Sequence, residues 1–254
     1  MITRTLLARI CDSSQLADAQ KTIASLLEGL VVETKIQWVF ANRWVQLSFS
    51  GEDEGIASNY VAKEVGFSPT SFEDVKRFTT LKGYLVNLEK NKEGLQVDMG
   101  IFQPKVVYAT LPLRHLQAQL VDGRKIALKK IVELYGFCED LPLDIKIVRV
   151  DEEAKSMEAE LSPEHVGKYV FWQESLLDRL IVIGSSLYDV KRILNRDGLT
   201  RDVINIETLG MLEHVLTCKL GTDAAGLIPR IGRRLKTARF AVFNPKRLKE
   251  FLEV

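Results

Sequence analysis

The chain has 254 residues, of which 46% are hydrophobic and 27% are charged, as is typical of a globular protein with room for more than one core. Its formal net charge of +1 argues against a protein coated on all sides by nucleic acid, and no apolar run approaches the roughly 18 residues of a membrane span. The three cysteines, Cys11, Cys138 and Cys218, include no CxxC pair, which excludes a zinc ribbon and leaves them as small core residues.

The N-terminal segment predicts a strand–helix–strand–strand–helix module. Residues 3–10 alternate like a strand, and Asp12 marks the start of a helix whose apolar residues recur at helical spacing. Strands are predicted over residues 33–40 and 43–50, and a second helix between residues 51 and 66. Because the first residues lack the basic start and the apolar stretch of a signal peptide, we expect a cytoplasmic protein.

The middle segment predicts a barrel. A three-strand meander is followed by two helices and two more strands, which is the element order of a five-stranded OB barrel with a helical insert. The strands are predicted over residues 81–88, 95–101, 105–112, 142–150 and 157–161, and the helices over residues 113–120 and 126–135.

The C-terminal segment predicts the strand–helix–strand–strand–helix–strand order of a ferredoxin-like module. A helix that begins at Ser162 leads into it, and a last helix follows it. The predicted strands cover residues 180–184, 203–209, 212–220 and 238–243, and the helices cover residues 187–195, 224–235 and 245–252.

The order of these elements predicts the fold class. We expect an α+β protein in which a five-stranded OB barrel with a helical insert is flanked by two ferredoxin-like βαββα(β) modules. The predicted boundaries are 1–74, 75–162 and 163–254. The alternative is a single extended α+β domain in which the barrel is embedded.

Two stretches of the chain resemble known families. Residues 81–101 resemble the opening of a ribosomal S1-type OB domain and read LKGYLVNLEKNKEGLQVDMGI, which implies an S1-like barrel. Residues 201–232 are similar to the C-terminal signature of an archaeal family, domain of unknown function 2110, and read RDVINIETLGMLEHVLTCKLGTDAAGLIPRIG. The similarity extends over the whole chain, including LSFSGEDE at residues 47–54. This family implies an archaeal cytoplasmic origin and supplies no reaction and no catalytic residues.

Aromatic and basic side chains on the barrel strands are candidates for RNA contact. Proteins that bind single-stranded RNA stack its bases on exposed aromatic rings and follow its phosphates with cations. The alternative is that the tyrosines pack inside the barrel or against the helical insert. The candidates are Lys82, Tyr84, Phe102, Lys105, Tyr108 and Arg114.

A run of basic residues between positions 219 and 249 predicts a surface that faces a polyanion. Only Asp223 is acidic in that run, whereas residues 151–164 form an acidic stretch. Three of the arginines fall at i, i+3 and i+4 of a predicted helix and so share one face, although a solvated charged face is the alternative. The candidate phosphate contacts are Arg230, Arg233, Arg234, Lys236, Arg239, Lys246, Arg247 and Lys249.

The turn before the helix predicted from Ala224 is a weaker candidate, for an anion. Its free backbone N–H groups and the charge of Lys219 could hold an anion at Gly221 and Thr222, although the turn is not a P-loop. The alternative is that Thr222 or Asp223 caps the helix.

No catalytic constellation is recognisable in the sequence. The three histidines are too scattered for a metal site, and no cysteine has an identifiable histidine partner, so we expect no cofactor and no metal. The sequence predicts a non-enzymatic RNA-binding protein that associates with rRNA or tRNA, the ribosome or other translation proteins. The alternatives are a protein–protein adaptor in archaeal transcription or translation, and an RNA-processing enzyme with an unrecognised site.

Overall fold

The N-terminal module has the predicted order of strands and helices, in a computed structural model that describes residues 1–38 and 43–253. The last two residues of the strand predicted over 33–40 lie outside the described residues. The elements are β1 (Ile2–Arg9), α1 (Ser13–Leu26), β2 (Glu33–Trp38), β3 (Trp44–Ser50) and α2 (Glu54–Glu64). The three strands form an antiparallel sheet in the order β1-β3-β2.

Short-range hydrogen bonds define the start of α1 and cover the outer edge of β1. The Asp12 side chain accepts a hydrogen bond from the N–H of Ser14 at 2.7 Å, in a capping box completed by Gln15. After α2 the backbone returns along β1, where the N–H of Leu7 donates to the carbonyl of Gly66 at 2.9 Å. This short pairing lies beside β1 at the edge of the sheet, which is the position of the fourth strand in a ferredoxin-like module.

The central module is a closed barrel that follows a short 3-10 turn at Phe72–Asp74. Its elements are β4 (Thr80–Val86), β5 (Gly94–Ile101), β6 (Val107–Pro112), α3 (Leu113–Leu120), α4 (Leu128–Tyr135), β7 (Pro142–Asp151) and β8 (Ser156–Leu161). The strands close in the order β4-β5-β6-β8-β7, and only β6 and β8 pair in parallel among the pairings described. A five-stranded barrel with helices inserted between its third and fourth strands agrees with the predicted OB-like architecture.

The C-terminal module is built around a four-stranded antiparallel sheet. After α5 (Pro163–Glu174) come β9 (Arg179–Ile183), α6 (Leu187–Arg196), β10 (Val203–Thr208), β11 (Glu213–Cys218), α7 (Ala224–Gly232), β12 (Arg239–Phe243) and α8 (Pro245–Glu253). The strand order in the sheet is β10-β11-β9-β12. The first and third strands of the module pair at the centre, and the second and fourth lie at the edges. This is the ferredoxin-like arrangement.

An apolar core shared with the barrel anchors the C-terminal sheet. One face of the sheet carries Leu180, Val182 and Leu216, which pack against the buried sides of α6 and α7. The other face carries Ile181 and Val215, which belong to the same buried cluster as the barrel interior and α5. Because alternate residues of a strand point to opposite faces, this sheet is buried on both sides.

The predicted fold class, α+β with a central barrel between two ferredoxin-like modules, is confirmed. The boundaries predicted at residues 74 and 162 stay predictions. Across the ranges that the structure describes, no helix combines the length and apolarity that crossing a lipid bilayer requires.

Candidate functional site

A buried polar cluster, the Asp140 cluster, joins the three modules just before β7. Arg9 of the N-terminal module donates from Nη1 to Oδ1 of Asp140 at 2.8 Å. Arg239 of the C-terminal module donates from Nη2 to Oδ2 at 2.5 Å, and Cys11 donates from Sγ to the same oxygen at 3.0 Å. Arg43 Nη1 lies 3.5 Å from that oxygen. Because Arg9 and Asp140 are both buried, the centre of the cluster is an interior ion pair.

The Asp140 cluster has the chemistry of a structural contact. Burial and then Asp140 raise the pKa of the Cys11 thiol to about 11, so the thiol stays protonated at neutral pH and is no thiolate nucleophile. Burial by itself would raise the pKa of Asp140, but Arg9, Cys11 and Arg239 outweigh that effect and lower it. Within the described ranges, no group of three or more His, Cys, Asp or Glu side chains is placed to hold a metal ion.

The N-terminal module also covers the outer side of β5. Trp44 Nε1 donates to Oδ2 of Asp98 at 3.1 Å, and Arg9 Nη2 lies 3.8 Å from the same oxygen. Ser68 Oγ donates to the carbonyl of Gly100 at 2.9 Å, and a Cβ added to Gly100 would lie 2.1 Å from that Oγ. OB barrels bind oligonucleotides at their second and third strands. The second strand of this barrel is therefore occupied by protein.

This docking corrects the prediction that Tyr84 stacks bases. Tyr84 is fully buried, and its hydroxyl donates to the carbonyl of Leu7 at 2.9 Å. Its ring meets Trp44 edge-on, with the centroids 5.6 Å apart, and Phe102 meets the same indole at 6.2 Å. Tyr108 is half-buried on β6. The predicted aromatic face is thus largely used to hold the N-terminal module.

The basic residues predicted on the barrel have different surroundings. Lys82 Nζ donates at 2.9 Å to a backbone carbonyl in the β10–β11 connection and lies 3.9 Å from Asp144, so its charge faces the C-terminal module. Lys105 is exposed in the loop before β6, whereas Arg114 pairs with Glu158 at the start of α3. Lys82 is therefore already engaged between the barrel and the C-terminal module, and contact of these cations with RNA stays a prediction.

A buried carboxyl group lies beside Tyr84 at the same three-module junction. Glu213, the first residue of β11, is 2% exposed, and its Oε2 accepts from the N–H of Leu212 at 3.3 Å. A Cβ added to Gly210 would lie 2.2 Å from that Oε2, so a larger residue here would require the carboxyl group to shift. Burial raises the pKa of Glu213 to about 8, and the group is mainly protonated at neutral pH.

The three arginines predicted to share a helix face line one open cleft at the end of α7. The cleft has a volume of about 590 Å³ and is lined by Arg230, Arg233, Arg234 and Asp197. Arg234 Nε lies 3.8 Å from the Asp197 carboxylate, and Arg230 Nη2 donates to the Asp197 carbonyl at 3.2 Å. Arg230 Nη1 also lies 3.5 Å from Asp202. These acids come from the end of α6 and the chain after it, far from the basic run in sequence.

Helix α6 adds basic side chains that the sequence-based prediction missed. Tyr188 is 72% exposed, and the guanidinium carbon of Arg192 lies 5.7 Å from the centroid of its ring. The helical spacing of the basic residues in α6 could have indicated them, but α6 lies outside the basic run between positions 219 and 249. The two-helix basic face comprises the exposed or half-buried cations of α6, of α7 and of the turn that directly follows α7, namely Lys191, Arg192, Arg196, Arg230, Arg233 and Arg234.

Arg239 was predicted among the phosphate contacts, and the structure corrects this. Its guanidinium group belongs to the Asp140 cluster, and Nη2 lies 3.0 Å from Cys11 Sγ as well as 2.5 Å from the Asp140 carboxylate. The reason is the position of β12, which runs along β9 and brings its first residue to the module junction. Arg239 therefore stabilises the arrangement of modules.

The basic residues of α8 are partly neutralised by acids outside the basic run. Arg247 pairs with Glu133 of α4, and Lys249 Nζ lies 3.6 Å from Glu253. The remaining predicted candidates are exposed lysines that form no ion pair within the described residues, namely Lys236 and Lys246.

The turn before α7 is used for capping, which was the alternative to an anion site. The Asp223 carboxylate accepts from two N–H groups of the first turn of α7, at 3.0 and 3.2 Å. The N–H of Thr222 donates to the carbonyl of Lys219 at 2.9 Å, which closes the turn around Gly221. The donors that an anion would need are therefore already satisfied, and a carboxylate stands in its place.

Comparison with known proteins gives a family for the whole chain. Three family models match it: DUF2110 N-terminal domain over residues 6–70, DUF2110 central domain over residues 75–173 and DUF2110 C-terminal domain over residues 177–243. No curated protein matches the sequence.

Solved structures resemble the chain only distantly. The uncharacterized protein MJ1198 from Methanocaldococcus jannaschii is 15% identical over 35% of this chain and 95% of its own, with a TM-score of 0.24. A multidomain protein with nucleic acid binding domains from Streptococcus pneumoniae is 8% identical over 72% of this chain and 59% of its own, with a TM-score of 0.21. The family models, by contrast, cover most of the sequence, and the chain belongs to the DUF2110 family.

Proposed function

We propose that this protein binds RNA, with rRNA or tRNA as ligand, through the two-helix basic face of its C-terminal module. The observation that carries the proposal is the open cleft in which Arg230, Arg233 and Arg234 converge around Asp197. A guanidinium group offers paired N–H donors that match the oxygens of a phosphate, and a cleft lined by three of them concentrates positive charge.

The acids at the cleft do not prevent phosphate from binding. The Arg230 and Arg234 side chains are 39% and 47% exposed, and their carboxylate contacts are long, at 3.5 and 3.8 Å. Exposed ion pairs of this kind contribute about 0–1 kcal/mol, so an RNA phosphate can replace them at little cost. Arg233 has no ion pair within the described residues, and its Nε donates only to the carbonyl of Pro229.

The rest of the two-helix basic face extends the cleft into a surface. Lys191, Arg192 and Arg196 are exposed on α6, which packs beside α7 on the same side of the sheet. Tyr188 offers an exposed ring on this helix, and stacking of bases on such rings accompanies phosphate contact in single-strand binders. A combination of cations and an exposed aromatic ring suits RNA better than it suits a free small anion.

Removing the arginines of the cleft should weaken RNA binding and flatten its salt dependence. For the triple variant R230A/R233A/R234A, we expect an affinity roughly 10- to 100-fold lower at about 0.1 M salt. We also expect the slope of log affinity against log salt to fall by about 2 to 3, since each lost phosphate contact lowers it by about 1. Fluorescence anisotropy with a labelled rRNA fragment and with tRNA, at several salt concentrations, measures both quantities.

The matched control removes the same number of charges from the N-terminal module. Arg4, Lys35 and Lys63 are exposed there, and R4A/K35A/K63A should keep most of the affinity of the natural protein. An equal loss in both triple variants would show that only net charge matters. Unchanged affinity and salt slope in R230A/R233A/R234A would remove the cleft from the RNA-binding surface.

A further inference from the structure

An aromatic ring stands exposed on the barrel, away from both the Asp140 cluster and the two-helix basic face. Phe78, in the turn before β4, is 60% exposed. Its backbone has φ of +68°, in the left-handed region that bulky side chains rarely adopt. Residues held in such a conformation tend to occur at binding sites, where the surrounding structure maintains the strain.

The turn is held to β7, which fixes the position of the ring. The N–H of Phe78 donates to the carbonyl of Ile147 at 2.8 Å. Arg77 Nε donates to the carbonyl of Val148, also at 2.8 Å. These two contacts join consecutive residues of the turn to consecutive residues of the strand, so the backbone that carries the ring is held against β7.

Cations flank the exposed ring. The guanidinium carbon of Arg77 lies 4.4 Å from the centroid of Phe78, and Lys146 Nζ lies 5.9 Å from it. Both distances allow attraction between the cation and the ring. Lys146 also stands 3.6 Å from Glu160, so part of its charge is already compensated. Arg77 therefore covers part of the ring, and the exposure of Phe78 leaves the remainder open to a planar, electron-rich group.

We infer that Phe78 and Arg77 form a base-stacking site for single-stranded RNA on the barrel. A nucleobase presents a flat π-face that can lie on the exposed part of the Phe78 ring, and Arg77 can contact the adjacent phosphate or stack with the base. The choice of RNA as ligand rests on the proposed function, whereas the position of the site does not. A base inside a duplex has both faces covered and cannot use this site.

The test compares Phe78→Ala, Phe78→Leu and Phe78→Tyr in binding a uridine-rich single strand of about 12 nucleotides. Alanine and leucine should each weaken binding by roughly 5- to 100-fold, because stacking of one base is lost, and tyrosine should restore it. The salt slope should stay that of the natural protein, since no phosphate contact is removed. A duplex of the same length should bind all variants equally.

Ile56→Ala is the matched control, because Ile56 is 59% exposed on the N-terminal module and is likewise apolar. It should leave the affinity for the single strand unchanged. Thermal unfolding midpoints close to that of the natural protein would show that the Phe78 variants are folded. Leucine variants that bind as tightly as the natural protein would overturn stacking and leave only apolar contact.

Parallel measurement of R230A/R233A/R234A separates this inference from the proposed function. Loss of affinity in that variant with full affinity in Phe78→Ala would overturn the inference and leave the proposed function standing. The reverse pattern would support the stacking site and overturn the cleft. If the natural protein binds neither the single strand nor the rRNA fragment, both are overturned.

Discussion

Replacement of Asp140 by asparagine should lower the free energy of unfolding by about 3 kcal/mol. The substitution removes the negative charge that compensates the buried guanidinium group of Arg9 at 2.8 Å, and it replaces by an amide the carboxylate that Arg239 and Cys11 contact. A buried ion pair that loses one partner typically costs about 3–5 kcal/mol. We expect the lower end because Asp98 remains 3.8 Å from Arg9 and retains part of the compensation.

Asparagine is the informative substitution because it preserves the backbone. Asp140 has φ of +62°, and asparagine tolerates this left-handed conformation better than alanine does. Urea unfolding followed by tryptophan fluorescence gives the free energy. The control is D151N, which removes a carboxylate 3.8 Å from the exposed Arg149 and should change stability by less than about 1 kcal/mol. Equal stability of D140N and D151N would refute a central role for the Asp140 cluster.

The same cluster should make the natural protein sensitive to acid. The pKa of Asp140 is lower in the folded protein than in the unfolded chain, since Arg9, Cys11 and Arg239 together outweigh the effect of burial. Its contribution is therefore fully present above the ordinary pKa of an aspartate and is lost as the pH falls through the folded value. D140N should show no such contribution.

The fold could be predicted from the sequence because each module is encoded by local patterns. Capping at Asp12 and helical spacing predict α1, alternation predicts β3, and turn residues separate the five barrel strands. The packing between modules is not encoded in this way. Trp44 and Asp98 are far apart in the chain, and nothing near either residue indicates that they meet.

The candidate site was predictable only where its residues lie close together in the sequence. Arg230, Arg233 and Arg234 follow from spacing alone, and the structure places them around one cleft. The acids that moderate the basic residues come from other elements, as Asp197 does for Arg234 and Glu133 does for Arg247. A count of charges along the sequence does not pair these acids with these bases, whereas the fold brings each acid within 4 Å of its basic partner.

Glu213 should make the protein less stable as the pH rises, which is the opposite of the effect of Asp140. In the unfolded chain this carboxyl group has a pKa near 4.5, and burial raises it to about 8 in the folded protein. Between these values the folded state holds a proton that the unfolded state has released. The free energy of unfolding should therefore fall as the pH rises through this window, by up to about 5 kcal/mol.

Glu213→Gln should remove this dependence, because glutamine has nearly the same shape and never ionises. We expect the variant to be more stable than the natural protein at pH 8 and above, and close to it near pH 5. Urea unfolding across that range measures the difference. The control is E207Q on the neighbouring strand, where the carboxylate is 34% exposed and lies 3.3 Å from Lys168.

A parallel dependence of the free energy of unfolding on pH in Glu213→Gln and in the natural protein would contradict this prediction. It would mean that the carboxyl group is ionised when buried and that the junction supplies it with a cation. Arg9 and Lys82 are the cations whose charges act on Glu213. Either one would have to leave its present partner, Asp140 or the Leu209 carbonyl, to pair with Glu213, and that would loosen the contacts between the modules.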